Sequence, residues 1–118
     1  MLKAEQTTEP TSGTLVVRLI GDADLASHDT LEAAGERVVE AAPKLAVIDC
    51  TSLRFLASPG IEVLLGLAQS LRTRGGRLAL AGASKLVGDM ITRSKLSHAL
   101  PVYPSVHDAI GALTPGAR

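Results

Sequence analysis

Ser58 is the hydroxyl in this 118-residue chain whose neighbours suggest chemistry. It stands directly before Pro59 and Gly60, and Ile61, Leu64, Leu65, Ala68 and Leu71 follow at helical spacing. A serine there can cap the helix, with Pro59 at its first helical position. Free backbone N–H groups and the positive end of the helix dipole would favour a phosphate attached to Ser58. Asp22 or Asp24, in an acidic loop, could repel that phosphate or join it in repelling a partner. The same seryl-prolyl turn also reads as a plain helix start.

Other chemistries have less to build on. Ser58 lacks the G-x-S-x-G elbow of a hydrolase, and no local pattern fixes His28 or His98 as its base. A histidine nitrogen bonded to Ser58 would be the mark of such an enzyme. His28, His98 and His107 show no His-x-x-His spacing, and Cys50 is the only cysteine, so no metal is expected. Asp22 and Asp24 alone are too few for a hard-cation site and read as loop solubility. Gly82, Lys85 and Gly88 make no Walker pattern, and no G-x-G-x-x-G occurs. The chain therefore reads as a non-enzyme without a cofactor.

The elements that position Ser58 follow from hydrophobic patterning. A weak edge strand over 1–9 leads through a turn at 9–13 to a stronger strand at 14–20, ended by Gly21. Ser27 or Asp29 can cap a helix from about His28, with Leu31, Ala34, Val38 and Ala41 on its apolar face. Gly35 weakens that helix or lets it approach the sheet. Leu45, Ala46, Val47 and Ile48 make a central strand, from which Asp49, Cys50 and Thr51 exit into a loop before Ser58. Arg72 to Arg77, with Gly75 and Gly76, reads as a helix stop.

A strand over 78–81 then precedes a helix opened by Gly82-Ala83-Ser84. Residues 95–100 are irregular, 101–104 extended, and Ser105 caps a last helix with Val106, Ala109, Ile110 and Leu113 inward. Residues 114–118 read as a tail. Alternating strands and helices over short connections indicate one α/β domain spanning 1–118, with a small sheet covered by helices mainly on one side.

Twelve basic and twelve acidic side chains leave no net charge, which argues against a nucleic-acid partner. Phe55 and Tyr103 are the only aromatics, so base-stacking platforms are nearly absent. No stretch has the apolar length of a membrane span or a signal-peptide core, and a cytoplasmic protein is expected.

In order and spacing, several segments resemble the STAS family, specifically bacterial anti-sigma-factor antagonists. They are G-D-A-D at 21–24, V-I-D-C-T-S-L-R-F-L-A-S-P-G-I at 47–61, R-G-G-R-L-A-L at 74–80 and L-P-V-Y-P-S-V-H-D-A-I at 100–110. The resemblance implies a small mixed sheet with packed helices. It implies a partner, too: an anti-sigma factor, often a GHKL-type serine kinase, whose phosphorylation of the antagonist blocks binding until a phosphatase reverses it. The family motif reads Asp-Ser-Ser/Thr-Gly, the usual acceptor preceding the glycine. Here Ala57 replaces the aspartate, Ser58 matches the first serine, Pro59 replaces the acceptor and Gly60 is kept. Asp24 matches the acidic residue close to the phosphorylation site. The expected docking surface is Asp24, Ser58, Pro59, Gly60 and Ile61, with Ser58 as a displaced acceptor. The alternative is a STAS interaction module that is never phosphorylated.

Overall fold

A computed structural model describes residues 1–94 and 99–113. Its elements run β1 (Leu2–Thr8), β2 (Leu15–Ala23), α1 (His28–Ala41), β3 (Leu45–Leu56), α2 (Ser58–Thr73), β4 (Arg77–Ala81), α3 (Lys85–Arg93), β5 (Val102–Tyr103) and α4 (Val106–Leu113). The strands form one sheet in the order β1-β2-β3-β4-β5. The β1–β2 hairpin is antiparallel and every later pair is parallel.

That order explains where the helices lie. Parallel strands added one after another need a crossover each time, and right-handed crossovers in one direction put their helices on the same face. Leu31 and Val38 of α1, Leu64 and Leu71 of α2, and Val87 and Ile91 of α3 accordingly share a core with Ala46, Ile48, Leu78 and Leu80. The alternate residues Leu45, Val47, Ala79 and Ala81 point to the opposite face, where Ala109 of α4 covers them. Burial on both faces makes Leu45–Ile48 of β3 and Leu78–Ala81 of β4 unbroken apolar runs. The expected mixed sheet with helices mainly on one face is therefore what forms.

The hairpin turn is tied by Glu9, whose carboxylate accepts from the N–H groups of Thr11 (3.0 Å) and Ser12 (2.7 Å) and from the Ser12 hydroxyl. These bonds, the Ser12 hydroxyl foremost, hold the Glu9 carboxyl down at about 2.

Several boundaries differ from the sequence expectation. β2 does not end at Gly21 but continues to Ala23. Gly21 has a φ of 109°, and a Cβ there would lie 2.2 Å from the Met1 carbonyl oxygen, so glycine lets the strand pass its neighbour. The pairing of β2 with β3 shifts register on either side of that point. β3 likewise does not release Asp49, Cys50 and Thr51 into a loop, but runs on to Leu56 beside the extended β2. Past Ile48 its apolar residues no longer form a run: Cys50, Leu53 and Leu56 are buried while Thr51, Arg54 and Phe55 are exposed.

Smaller corrections concern the helices. Ala41 is exposed, since α1 ends there in a left-handed Ala42 before Pro43. At Gly35 a Cβ would meet only Leu67 Cδ2 of α2, at 4.0 Å, so no close approach to the sheet requires glycine there. The expectations for 95–98 and for the tail at 114–118 fall outside the described residues.

Candidate docking site

The C-terminal end of β2 and the start of α2 meet at one pole of the sheet. The Ala57 N–H donates to the Ala23 carbonyl at 2.9 Å, which fixes where α2 begins. Gly60 is buried in this joint: a Cβ would lie 2.9 Å from Leu56 Cδ1 and 3.4 Å from the Ala23 oxygen. Ile61 is also buried, inside the core shared with β2 and β3. Of the expected docking residues, Ser58 is exposed, Pro59 and Asp24 are half-buried, and Gly60 and Ile61 lie beneath the surface.

Ser58 is not the cap of α2. Ala57 occupies that position in an extended conformation, Ser58 is the first helical residue, and no side-chain bond caps the first turn. The expected convergence of free N–H groups is also reduced. Pro59 has none, the Gly60 and Ile61 N–H groups both donate to the Ala57 carbonyl, and the Ala57 N–H is taken by Ala23. What faces a group on Ser58 is chiefly its own N–H and the helix dipole.

Asp24 is committed to the neighbouring loop. Its carboxylate accepts from the Ser27 N–H (3.1 Å) and lies 2.9 Å from the Ser27 hydroxyl, capping a 3₁₀ turn at Leu25–Ser27. The Ser27 hydroxyl bond is the main cause that lowers the Asp24 pKa from its usual value. The Ser27 hydroxyl is also 2.9 Å from the Asp22 carbonyl, so Ser27 stands before α1 without bonding to it; Asp29 lies within that helix. Neither residue supplies the side-chain cap expected of it. Asp22 pairs with Arg54 across the β2–β3 ladder at 3.1 Å.

Two side chains at this pole were not among the expected docking residues. Leu25, in the 3₁₀ turn, is 74% exposed, and Phe55, paired with Asp22 near the end of β3, is 37% exposed. Leu25 follows the end of β2, and Phe55 lies one residue before the end of β3, which leads into the Ser58 region. Leu25 was legible as an apolar residue outside the spacing of α1. Phe55 lies in a segment that local pattern reads as a loop and that forms the end of β3.

The nucleophile and base candidates are separated. Burial pushes the Cys50 thiol up to about 12, and the side chain is fully enclosed in the core. His28 Nε2 lies 3.3 Å from Glu32 rather than on Ser58. His107 is on α4, across the sheet, and His98 lies outside the described residues. Among the described residues no group of three or more His, Cys, Asp or Glu side chains could hold a metal ion. No helix among them is long and apolar enough to cross a membrane.

The STAS domain family model matches residues 5–109. A Mycobacterium tuberculosis protein that bears the name of an anti-anti-sigma factor is 35% identical over 75 residues, covering 64% of this chain. The chain spans about half of that relative's length, 51%. An anti-sigma F factor antagonist of Paenibacillus polymyxa is 26% identical over 102 residues, covering 86% of this chain and 87% of its own. The crystal structure of an anti-sigma factor antagonist from Mycobacterium paratuberculosis superposes with a TM-score of 0.86 at 26% identity, covering 96% of this chain and 94% of that one.

Proposed function

The chain belongs to the STAS domain family, and from that premise we propose that it is an anti-sigma-factor antagonist, acting in the cytoplasm. It binds an anti-sigma factor through the pole where β2 meets α2 and so frees the sigma factor. The observation that carries this reading is the pair of exposed apolar side chains, Leu25 and Phe55, at the pole that bears Ser58. Scattered apolar residues are ordinary, but Leu25 follows the end of β2 and Phe55 lies one residue before the end of β3, the two strand ends at which α2 starts. Apolar side chains there offer area that a partner can dry. The names borne by the Paenibacillus and Mycobacterium relatives agree with it.

Each residue has a part in the docking. Asp24 holds the turn that presents Leu25, Ser58 and Pro59 meet the partner directly, and Gly60 and Ile61 set the height and tilt of the helix start. The switch is phosphorylation of Ser58, with the anti-sigma factor as a GHKL-type kinase. The Ser58 oxygen takes the γ-phosphoryl group of ATP, ADP leaves, and the hydroxyl proton passes to a base of the kinase. The added charge of about −1.5 to −2 opposes docking by desolvation and repulsion, and a cognate phosphatase removes it.

A second reading, constitutive binding without phosphorylation, is favoured by one observation. Pro59 takes the family's acceptor position, and only Ser58 itself offers a free N–H beside it. One experiment separates the two. The immobilised chain is used to capture its partner from cell extract, the bound proteins are identified by mass spectrometry, and the pair is incubated with ATP. An anti-sigma factor in the eluate, with a phosphate on the chain that Ser58→Ala abolishes, supports the switch. Capture with no added phosphate supports constitutive binding. Capture of no anti-sigma factor under conditions that retain folded chain removes both.

A further inference from the structure

A long groove of about 710 Å³ lies between α1 and α2. Val39, Val63 and Leu67 form its floor, and Gly35 and Gly66 stand one on each wall. The glycines keep it open. A Cβ on Gly66 would meet nothing within 4 Å, and one on Gly35 would first reach Leu67 at 4.0 Å. The rim is acidic. Glu32, Glu36 and Glu40 recur every fourth residue along α1, so they line one wall at intervals of about 6 Å. Glu62 stands on the facing wall.

No lysine or arginine lines this groove, although the chain as a whole carries no net charge. Glu32 meets His28 at 3.3 Å; among the described residues Glu36, Glu40 and Glu62 have no ion-pair partner. Unpaired carboxylates above an apolar floor define the complement: apolar residues on one stripe and cations on its flanks. The walls are helices whose backbone groups already bond internally. An extended segment laid between them would leave its own N–H and C=O groups unpaired, whereas a helix satisfies its own.

We propose that the α1–α2 groove docks a basic amphipathic helix of a protein partner, with its apolar stripe on Val39, Val63 and Leu67 and its lysines or arginines against the glutamates. The groove reaches the Ser58 pole only at Pro59 and His28, and the proposal does not rest on the anti-sigma reading.

The test uses the full chain and a labelled Leu/Lys amphipathic peptide of about four helical turns. A Leu/Glu peptide of equal length is the control. Fluorescence anisotropy should show saturable binding of the Leu/Lys peptide alone, weakening as salt is raised. Amide shifts in NMR spectra should centre on Gly35, Val63 and Gly66. Glu36→Lys combined with Glu62→Lys should weaken binding at least about tenfold. Gly66→Phe should block it by filling the groove, at a position where the added side chain meets open space. Circular dichroism melts confirm that both variants fold.

Equal binding of the Leu/Glu peptide, shifts centred on the α4 face, or unchanged affinity in both folded variants would overturn the proposal. So would sedimentation of the unliganded chain as a dimer that the same variants dissociate, since the occupant would then be a second copy. Loss of peptide binding with anti-sigma-factor capture intact separates this groove from the Ser58 pole. The converse result separates them equally.

Discussion

Replacing one glycine of α2 at a time tests whether the helix start is held by contact with the ends of β2 and β3. Gly60→Ala and Gly66→Ala make the same chemical change in the same helix, and alanine is favoured over glycine by about 1 kcal/mol in a helix interior. At Gly66 the new methyl meets nothing within 4 Å, so that gain should appear as added stability. At Gly60 the methyl would sit 2.9 Å from Leu56 Cδ1 and 3.4 Å from the Ala23 backbone oxygen. Leu56 is 1% exposed and has little room to retreat. Overpacking of this kind costs about 1–3 kcal/mol, so a midpoint cost of about 2 kcal/mol outweighs the helical gain. Gly60→Ala should therefore lose at least about 1 kcal/mol, since a first-turn residue gains less than an interior one, while Gly66→Ala gains about 1 kcal/mol. A difference of about 2 kcal/mol or more reports the contact. For a chain of this length that separates the two melting temperatures by about 8 °C. Urea unfolding followed by circular dichroism gives the same comparison through the midpoints. Equal stabilisation by both variants would show that the start of α2 does not press on Leu56 and Ala23.

Three further outcomes follow from local geometry. Cys50, buried and with its thiol pushed up to about 12, should resist a thiol reagent in the folded chain and react once urea unfolds it; rapid labelling of native protein would contradict its enclosure. Glu9 titrates at about 2 folded against a usual 4.5, so its contribution is complete above the higher value and is lost as pH falls through the lower one. Glu9→Gln should accordingly flatten the decline of the urea midpoint between those values, and an unchanged slope would refute the hairpin bonds. The Ser84 hydroxyl accepts from the Val87 N–H at 3.2 Å at the start of α3, and Ser84→Ala should cost about 1 kcal/mol of unfolding free energy, whereas an unshifted midpoint would count against the cap.

Much of the fold was legible because its core elements begin with unambiguous patterns. The runs at Leu45–Ile48 and Leu78–Ala81 are apolar on both faces, and their shortness between Pro43, Gly75-Gly76 and Gly82 favours buried strands over helices. Ser105 was rightly read as a cap, since its hydroxyl accepts from the Asp108 N–H at 3.0 Å. The failures cluster where tertiary pairing overrides local signals. Gly21 looked like a stop, but it is the residue that lets β2 pass Met1, and only the longer β2 gives β3 a partner out to Leu56. Ser58 looked like a cap because serine and proline at a helix start usually are one. The helix instead begins one residue earlier than that register required, with Ala57 held by Ala23. The exposure of Phe55 has the same origin: it depends on how far β2 and β3 run, which no local spacing records. The acidic rim of the α1–α2 groove was hidden as well, since Glu62 joins Glu32, Glu36 and Glu40 only when the helices pack.

The most direct measurement is amide hydrogen exchange on the complex between this chain and the anti-sigma factor it captures, compared with the chain alone. Slowed exchange confined to the Leu25 turn, the end of β3 around Phe55 and the first turn of α2 is the predicted result. Protection on the α4 face, with those three segments exchanging as they do in the free chain, would contradict docking at the Ser58 pole.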